Sequence, residues 1–275
     1  MLGLIAGQGA FPLLVARAAK ESGQPLSCVA FRGVSNSAID DVQDDVTWIH
    51  LGEVVRGIGV FREAGVVEAV MAGKIPKDVL FGNLDLKLDG QAQDLMRAIP
   101  DQADDTILGK VADFLEAAGI RLLPQWALAP ELLVGPGSLG KTAPTPAQLA
   151  DIAFGFPLAK QIGALDIGQT IVVKDRAVIA VEAIDGTDAT IRRAGNLMPG
   201  TCVVKVAKPR QDPRFDVPTI GVETVETLVA AAAGALAFEA GATVVLERAA
   251  VARAADAAGI AIVGIDPDAD LPDAP

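Results

Sequence analysis

The sequence holds a single histidine, two cysteines and no apolar run that reaches bilayer length. Each shortage removes a class of function. A histidine-rich dimetal phosphoesterase needs several imidazoles, and His50 stands alone. A Ser-His-Asp nucleophile would have to route through that same residue, which sits in Trp48-Ile49-His50-Leu51 and reads as a strand end. The cysteines, Cys28 and Cys202, lie far apart in apolar runs. Both read as buried thiols in strands rather than as disulfide or zinc ligands. The longest apolar candidate, Leu228 to Phe238, is about half the ~20 residues that span a bilayer. No secretory signal is visible, because the opening run Leu2 to Ala6 is short and lacks a basic flank. These features lead us to expect a reducing, cytoplasmic setting, with any membrane contact peripheral.

Positive charge is also scarce. Lysine and arginine total 23 against 35 acids, a formal net charge of −12. Such a surface repels a polyanion, so a nucleic-acid partner is excluded. One segment runs against the trend. From Asp188 to Asp216 lie Arg192, Arg193, Lys205, Lys208, Arg210 and Arg214, against Asp188, Asp212 and Asp216. It reads either as solvated surface or as a seat for phosphates.

What is plentiful is hydrophobic residues, 51% of the chain. Their pattern predicts strands alternating with helices, hence an α/β fold with a parallel sheet covered on both faces. Strands are expected at Leu2–Ala6, Leu26–Phe31, Val67–Ala72 and Arg121–Leu123. Helices are expected at Phe11–Ala19, Glu53–Ala64 and Asp104–Ala118. This half reads as a Rossmann-like domain over residues 1–132. A Gly/Pro-rich stretch, about 132–146, marks a linker or an ordered crossing, and residues 133–275 form a second α/β domain. There the pattern predicts a helix over 147–162, a hairpin around Asp175-Arg176, a helix starting near Asp188 and a strand over 203–206. It further predicts a helix over 225–235, a strand over 242–247, a helix over 248–258 and a strand over 260–265.

The turn Gly7-Gln8-Gly9 between strand and helix is either a plain structural turn or a nucleotide contact made through backbone amides. A full dinucleotide fingerprint is missing: Pro12 occupies the third glycine position, and Arg32 stands where a ribose-binding acid belongs. Hydride transfer is therefore disfavoured. With one histidine available, acid–base or metal chemistry must rest on carboxylates, and hard oxygen ligands select Mg²⁺. Asp104-Asp105 opens a helix, where one acid commonly caps the amides and leaves the other available. Glu182 leaves a strand ahead of Asp188, itself a candidate N-cap or ligand. Asp216 sits in the rigid turn Arg214-Phe215-Asp216-Val217-Pro218, which can project one carboxylate into a partly desolvated cleft.

These stretches resemble the LpxI family, the UDP-2,3-diacylglucosamine pyrophosphatases of lipid A synthesis, over nearly the whole length. The resemblance is carried by Gly3-Leu4-Ile5-Ala6-Gly7-Gln8-Gly9-Ala10 with Pro12, Asp104-Asp105, Leu139-Gly140-Lys141 and Asp166-Ile167-Gly168-Gln169. Its most specific parts are Val181-Glu182-Ala183 through Gly186-Thr187-Asp188-Ala189 with Arg192-Arg193, and Asp216-Val217-Pro218-Thr219-Ile220-Gly221. Asp185, where glutamate is usual, and Val217, where leucine is common, are conservative departures. The resemblance implies two α/β domains with substrate held between them. It implies metal-dependent hydrolysis, with Mg²⁺ or Mn²⁺, of the diphosphate of UDP-2,3-diacylglucosamine to UMP and 2,3-diacylglucosamine 1-phosphate. The family's key aspartate matches Asp216, expected as the catalytic residue and a metal ligand, with Asp104, Asp105, Glu182 and Asp188 as further ligands. Gly7, Gly9, Lys141, Gly186, Thr187, Arg192, Arg193 and Thr219 are expected to touch the lipid-linked UDP-sugar. Peripheral contact with the inner face of the inner membrane and a homodimer fit the same picture. The alternative is a non-catalytic protein that binds a nucleotide-sugar or lipid.

Overall fold

The computed structural model describes residues 1–75, 90 and 104–268, and for residues 104–107 the backbone alone. The fold is α/β in two units: Met1–Pro130 with Asp212–Asp216, and Glu131–Gln211 with Val217–Pro275.

In the first unit, β1 (Leu2–Ala6), β2 (Leu26–Phe31), β3 (Val46–Ile49), β4 (Glu68–Ala72) and β5 (Arg121–Leu122) form a five-stranded sheet in the order β3-β2-β1-β4-β5. All its pairings are parallel. Helix α1 (Phe11–Glu21), entered through Pro12, buries Phe11, Val15, Ala16 and Ala19 and packs against β1, β2 and β4. After the short α2 (Ile39–Val42) come α3 (Val54–Glu63) and, later, α4 (Asp104–Ala117). Residues of α3 and α4, Ile58, Phe61, Ala112 and Leu115, share one core cluster with Val29, Ile49 and Ala69 of the sheet. Parallel strands buried on both faces read as continuous apolar runs, which is why β1 and β2 were legible.

The second unit is built on a mixed, six-stranded sheet, order β6-β13-β11-β9-β7-β8. Its strands are β6 (Gly137–Ser138), β7 (Thr170–Lys174), β8 (Ala177–Val181), β9 (Cys202–Lys205), β11 (Ala235–Glu239) and β13 (Ala261–Ile265). The β9, β11 and β13 strands run parallel, while β7 pairs antiparallel with β8 and with β9. Between β10 (Thr219–Ile220) and β12 (Val244–Val245) lies a separate two-stranded parallel pair. Helix α5 (Pro146–Ala164), started by a capping box of Thr145 with Gln148, covers one face. Helices α6 (Thr187–Leu197), α7 (Val222–Ala230) and α8 (Arg248–Ala258) supply the core of the other. Period-two alternation separates the faces: Ala235 and Ala237 pack with α5, whereas Leu236 and Phe238 face the opposite cluster.

The Gly/Pro-rich stretch is ordered in this unit. Val134 and Leu139 are buried, Leu133 bridges Val244, and Gly137–Ser138 is an edge strand. At Asp175 and Arg176 both φ angles are positive, and the Asp151 carboxylate accepts from both amides, at 3.2 and 2.7 Å, to hold that hairpin turn.

One expected element is corrected. The helix over 225–235 ends at Ala230, Ala232 takes φ +50, and Ala235 already begins β11, a central strand. An unbroken apolar run does not distinguish a buried strand from a buried helix.

Candidate active site in the first unit

The loops after β1 and β4 are joined by backbone hydrogen bonds. Gly7 N–H donates to Ala72 O at 2.7 Å and Gln8 N–H to Lys74 O at 2.7 Å, while Lys74 N–H donates to Gln8 O at 3.1 Å. The approach is close: a Cβ on Gly73, whose φ is +87, would lie 2.5 Å from Gln8 O. The amides of Gly7 and Gln8 are thus committed within the fold, and Gly9, exposed at φ +99, forms the open part of the turn. Ser35 fixes the neighbouring strand ends, its hydroxyl donating to Ala6 O and accepting from Phe31 N–H, both at 2.7 Å.

Beside these loops, on the α3/α4 side of the sheet, is a cavity of about 580 Å³. Its floor is apolar, with Ile5, Val29, Phe31, Ile49 and Met71 from the strands. Ile58 and Phe61 of α3 and Leu108, Val111 and Leu115 of α4 supply the opposite wall. Five polar side chains join them among the described residues: Gln8, Glu53, Lys74, Gln125 and Asp216.

Asp216 reaches this cavity because the chain returns to the first unit for five residues, Asp212–Asp216. That return is anchored from several sides. Pro213 O accepts from the Gln125 amide at 2.9 Å, and Gln125 Nε2 donates to Met71 O of β4 at 2.9 Å. Arg214 binds the Asp212 carboxylate at 2.7 Å and Glu116 of α4 at 2.6 Å. Phe215 packs against the core of the unit. Asp212 O accepts from the Asp216 amide at 3.0 Å, closing the turn that sets the side chain, whose Oδ2 is buried. The Arg214 guanidinium beside Asp212 holds that carboxyl below the usual range, and Asp212 in turn raises Arg214. Glu53, the other acid of the lining, is held low chiefly by the His50 amide at 2.5 Å, with Arg56 adding to it.

Glu182, Asp188, Lys141, Gly186, Thr187, Arg192, Arg193 and Thr219 belong to the second unit. Glu182 is buried and accepts from Gln169 N–H at 3.2 Å and from the Thr187 hydroxyl at 2.9 Å. Gly186 is the N-cap of α6, and Asp188 lies in its first turn. Arg193 donates to Val181 O and to Asp185, which its guanidinium keeps below the usual carboxylate range. Arg192 meets Thr227 at 3.5 Å. The amides of Lys141 and Thr142 wrap the Asp256 carboxylate, which they hold low. The Thr219 hydroxyl donates to Val217 O. Asp104 and Asp105 start α4, and their side chains lie outside the described residues. Both cysteines are free and buried, and burial foremost pushes each thiol up to about 12.

Metal-dependent hydrolysis through gathered carboxylates is corrected by this arrangement. No group of three or more His, Cys, Asp or Glu side chains that could hold an ion occurs among the described residues. Glu182 is bound within its own strand and helix. The described donors therefore do not by themselves make the expected Mg²⁺ cage, and the side chains of Asp104 and Asp105 lie outside them. Sequence reasoning also passed over Glu53, Lys74 and Gln125, which follow β3, β4 and β5; the ends of parallel strands were the available signal.

Comparison with known proteins agrees along the whole chain. Residues 1–132 match the model of the LpxI N-terminal domain, and residues 135–263 that of the LpxI C-terminal domain. A relative from Caulobacter vibrioides, named UDP-2,3-diacylglucosamine pyrophosphatase LpxI, is 31% identical over 97% of this chain and 98% of its own. Its name describes an enzyme, against the non-catalytic alternative, and specifies no metal. A solved biotin carboxylase domain of a thermophilic 2-oxoglutarate carboxylase aligns at 16% identity over 62% of this chain and 34% of that one. Its TM-score of 0.27 carries no argument. With both domain models matched in order and a relative aligned end to end, the chain belongs to the LpxI family.

Proposed function

We propose that this chain is a UDP-2,3-diacylglucosamine pyrophosphatase that cleaves the bond between the two phosphates. The observation that carries the reading is a single one: a half-buried carboxylate, Asp216, with Oδ2 buried, set in the lining of a large apolar cavity, in a chain that aligns end to end with a relative of that name. A diacylated nucleotide-sugar needs apolar volume and a polar reaction centre side by side. Burying hydrocarbon contributes roughly 0.8 kcal/mol per methylene, and the strand floor offers the surface to do it.

In this reading Asp216 acts as general base. Its carboxylate orients a water molecule and takes its proton as the oxygen attacks phosphorus, and the other phosphate leaves with the electrons of the broken bond. A Mg²⁺ or Mn²⁺ ion, if carried by the substrate, would neutralise part of the diphosphate charge.

Collection of substrate at a lipid surface belongs to the same proposal. No helix among the described residues is long and apolar enough to cross a membrane. Leu165 and Ile167 are exposed on either side of Asp166, which pairs with Lys208, and exposed Ile184 precedes Asp185, which pairs with Arg193. Apolar side chains next to cations suit an anionic headgroup region.

The test is direct. Purified protein given UDP-2,3-diacylglucosamine should release UMP, followed by chromatography, and UDP-glucose, without acyl chains, should turn over far more slowly. Tight binding with no UMP released, or equal rates on both substrates, sinks the proposal.

A further inference from the structure

The proposed function leaves a charge problem at the cavity. A multiply charged diphosphate would approach a lining that already contains Glu53 and Asp216. Like charges repel more strongly as the surroundings become less water-like, so the anion needs a cation at the same place. The backbone amides at the end of β1 do not supply it, because Gly7 and Gln8 already donate to Ala72 O and Lys74 O.

Among the described residues that line the cavity, Lys74 is the cation. Three other cations of the first unit are paired with acids: Arg56 with Glu53, Arg121 with Glu68, and Arg214 with Asp212 and Glu116. Lys74 lies two residues past the end of β4 and is exposed. Its backbone is clamped on both sides, O to Gln8 N–H and N–H to Gln8 O, so the base of the side chain is fixed. Its position has a second meaning. In the order β3-β2-β1-β4-β5 the direction of progression reverses between β1 and β4, and ligands of such sheets sit outside the strand ends at that reversal.

We infer that Lys74 binds the diphosphate of the substrate, holding its anionic oxygens at the polar part of the cavity that Asp216 shares. An ammonium suits this role, being a compact charge with three donors that can follow phosphate oxygens as the bond breaks. This inference rests on the pyrophosphatase reading, and the experiment separates the two.

Full-length wild type, Lys74→Gln and Lys74→Arg are assayed for UMP release from UDP-2,3-diacylglucosamine across substrate and salt concentrations. Lys74→Gln should lower kcat/KM by about 10- to 100-fold, the range expected for one charge-assisted contact. Lys74→Arg should recover most of that loss, and the salt dependence of kcat/KM should be shallower in Lys74→Gln than in wild type. Thermal midpoints should match, because the clamp on Gln8 is made by backbone atoms. A Lys74→Gln enzyme within twofold of wild type, or a loss that arginine does not restore or that tracks a lowered midpoint, overturns the role of Lys74 and leaves the activity standing. A wild type that releases no UMP overturns the activity itself.

Discussion

The two units follow the same α/β logic with opposite results on their sheet faces. In the first unit, α3 and α4 stand over the strands with a hollow between them, floored by Ile5, Val29 and Ile49. In the second, both faces are filled, and α5 comes so close that a Cβ on its Gly155 would lie 2.9 Å from Val173 and 3.1 Å from Val204. The carboxylates divide in the same way. Buried acids of the second unit are bound by its own donors: Asp151 by the hairpin amides, Glu182 by Gln169 and Thr187, Glu239 by Lys160 and the Ala207 amide. Asp216 lines open volume. An acid that holds its own unit together and an acid beside an empty space are different objects, even within one family motif set.

That contrast can be broken most decisively at Asp216. Asp216→Asn should reduce UMP release by roughly a hundredfold to ten-thousandfold, the range of general-base catalysis, with an unchanged thermal midpoint; near-wild-type turnover would erase the distinction between the units' acids. Next comes added bulk. Gly155→Ala should destabilise the protein by about 1–3 kcal/mol through overpacking, read from a urea midpoint. In α3 the corresponding change, Gly57→Ala, meets Ile49 Cδ1 at 3.3 Å and Val29 Cγ1 at 3.8 Å beside the cavity; it should be neutral or gain up to ~1 kcal/mol of helix propensity. Equal costs at the two glycines would mean the first unit is as tightly filled as the second.

Glu182→Ala sharpens the comparison from the other side. Loss of the acceptor for Gln169 and Thr187 should cost about 1–3 kcal/mol of stability while kcat, measured below the unfolding transition, stays within a few-fold. A collapse of kcat in a folded Glu182→Ala enzyme would return that acid to the chemistry. The smallest effect is expected at Asp256. Its carboxyl is lowered first by the Lys141 amide and then by that of Thr142, so its folded form binds a proton less readily than the unfolded chain. The stability it adds is present above the ordinary aspartate range, about pH 4, and is lost as pH falls through the lowered value. Urea midpoints at pH 7 and about pH 3 should therefore differ less in Asp256→Asn than in wild type.

Much of this was readable residue by residue. The β1-turn-α1-β2 opening, the hairpin at Asp175-Arg176 and helices α3, α5 and α8 follow from local periodicity, a proline in a first turn and glycine stops. The central strand β11 was not, because Ala230 to Phe238 is apolar in every register and only pairing with β9 and β13 makes it a strand. The site shows the same division. Asp216 was singled out from its turn, yet nothing local tells that the turn is anchored through Pro213 to Gln125, and Gln125 to Met71, far back in the chain.

Composition and spacing by themselves determined the α/β class and the scarcity of imidazoles, and the resemblance of its motifs pointed to the family. Tertiary structure alone decided which of the acids faces a cavity and which is locked inside its own unit. The physical reason is range: helix and strand preference acts over a few neighbouring residues, whereas the return of Asp212–Asp216 to the first unit depends on packing Phe215 and hydrogen bonding Pro213 across a long loop of chain.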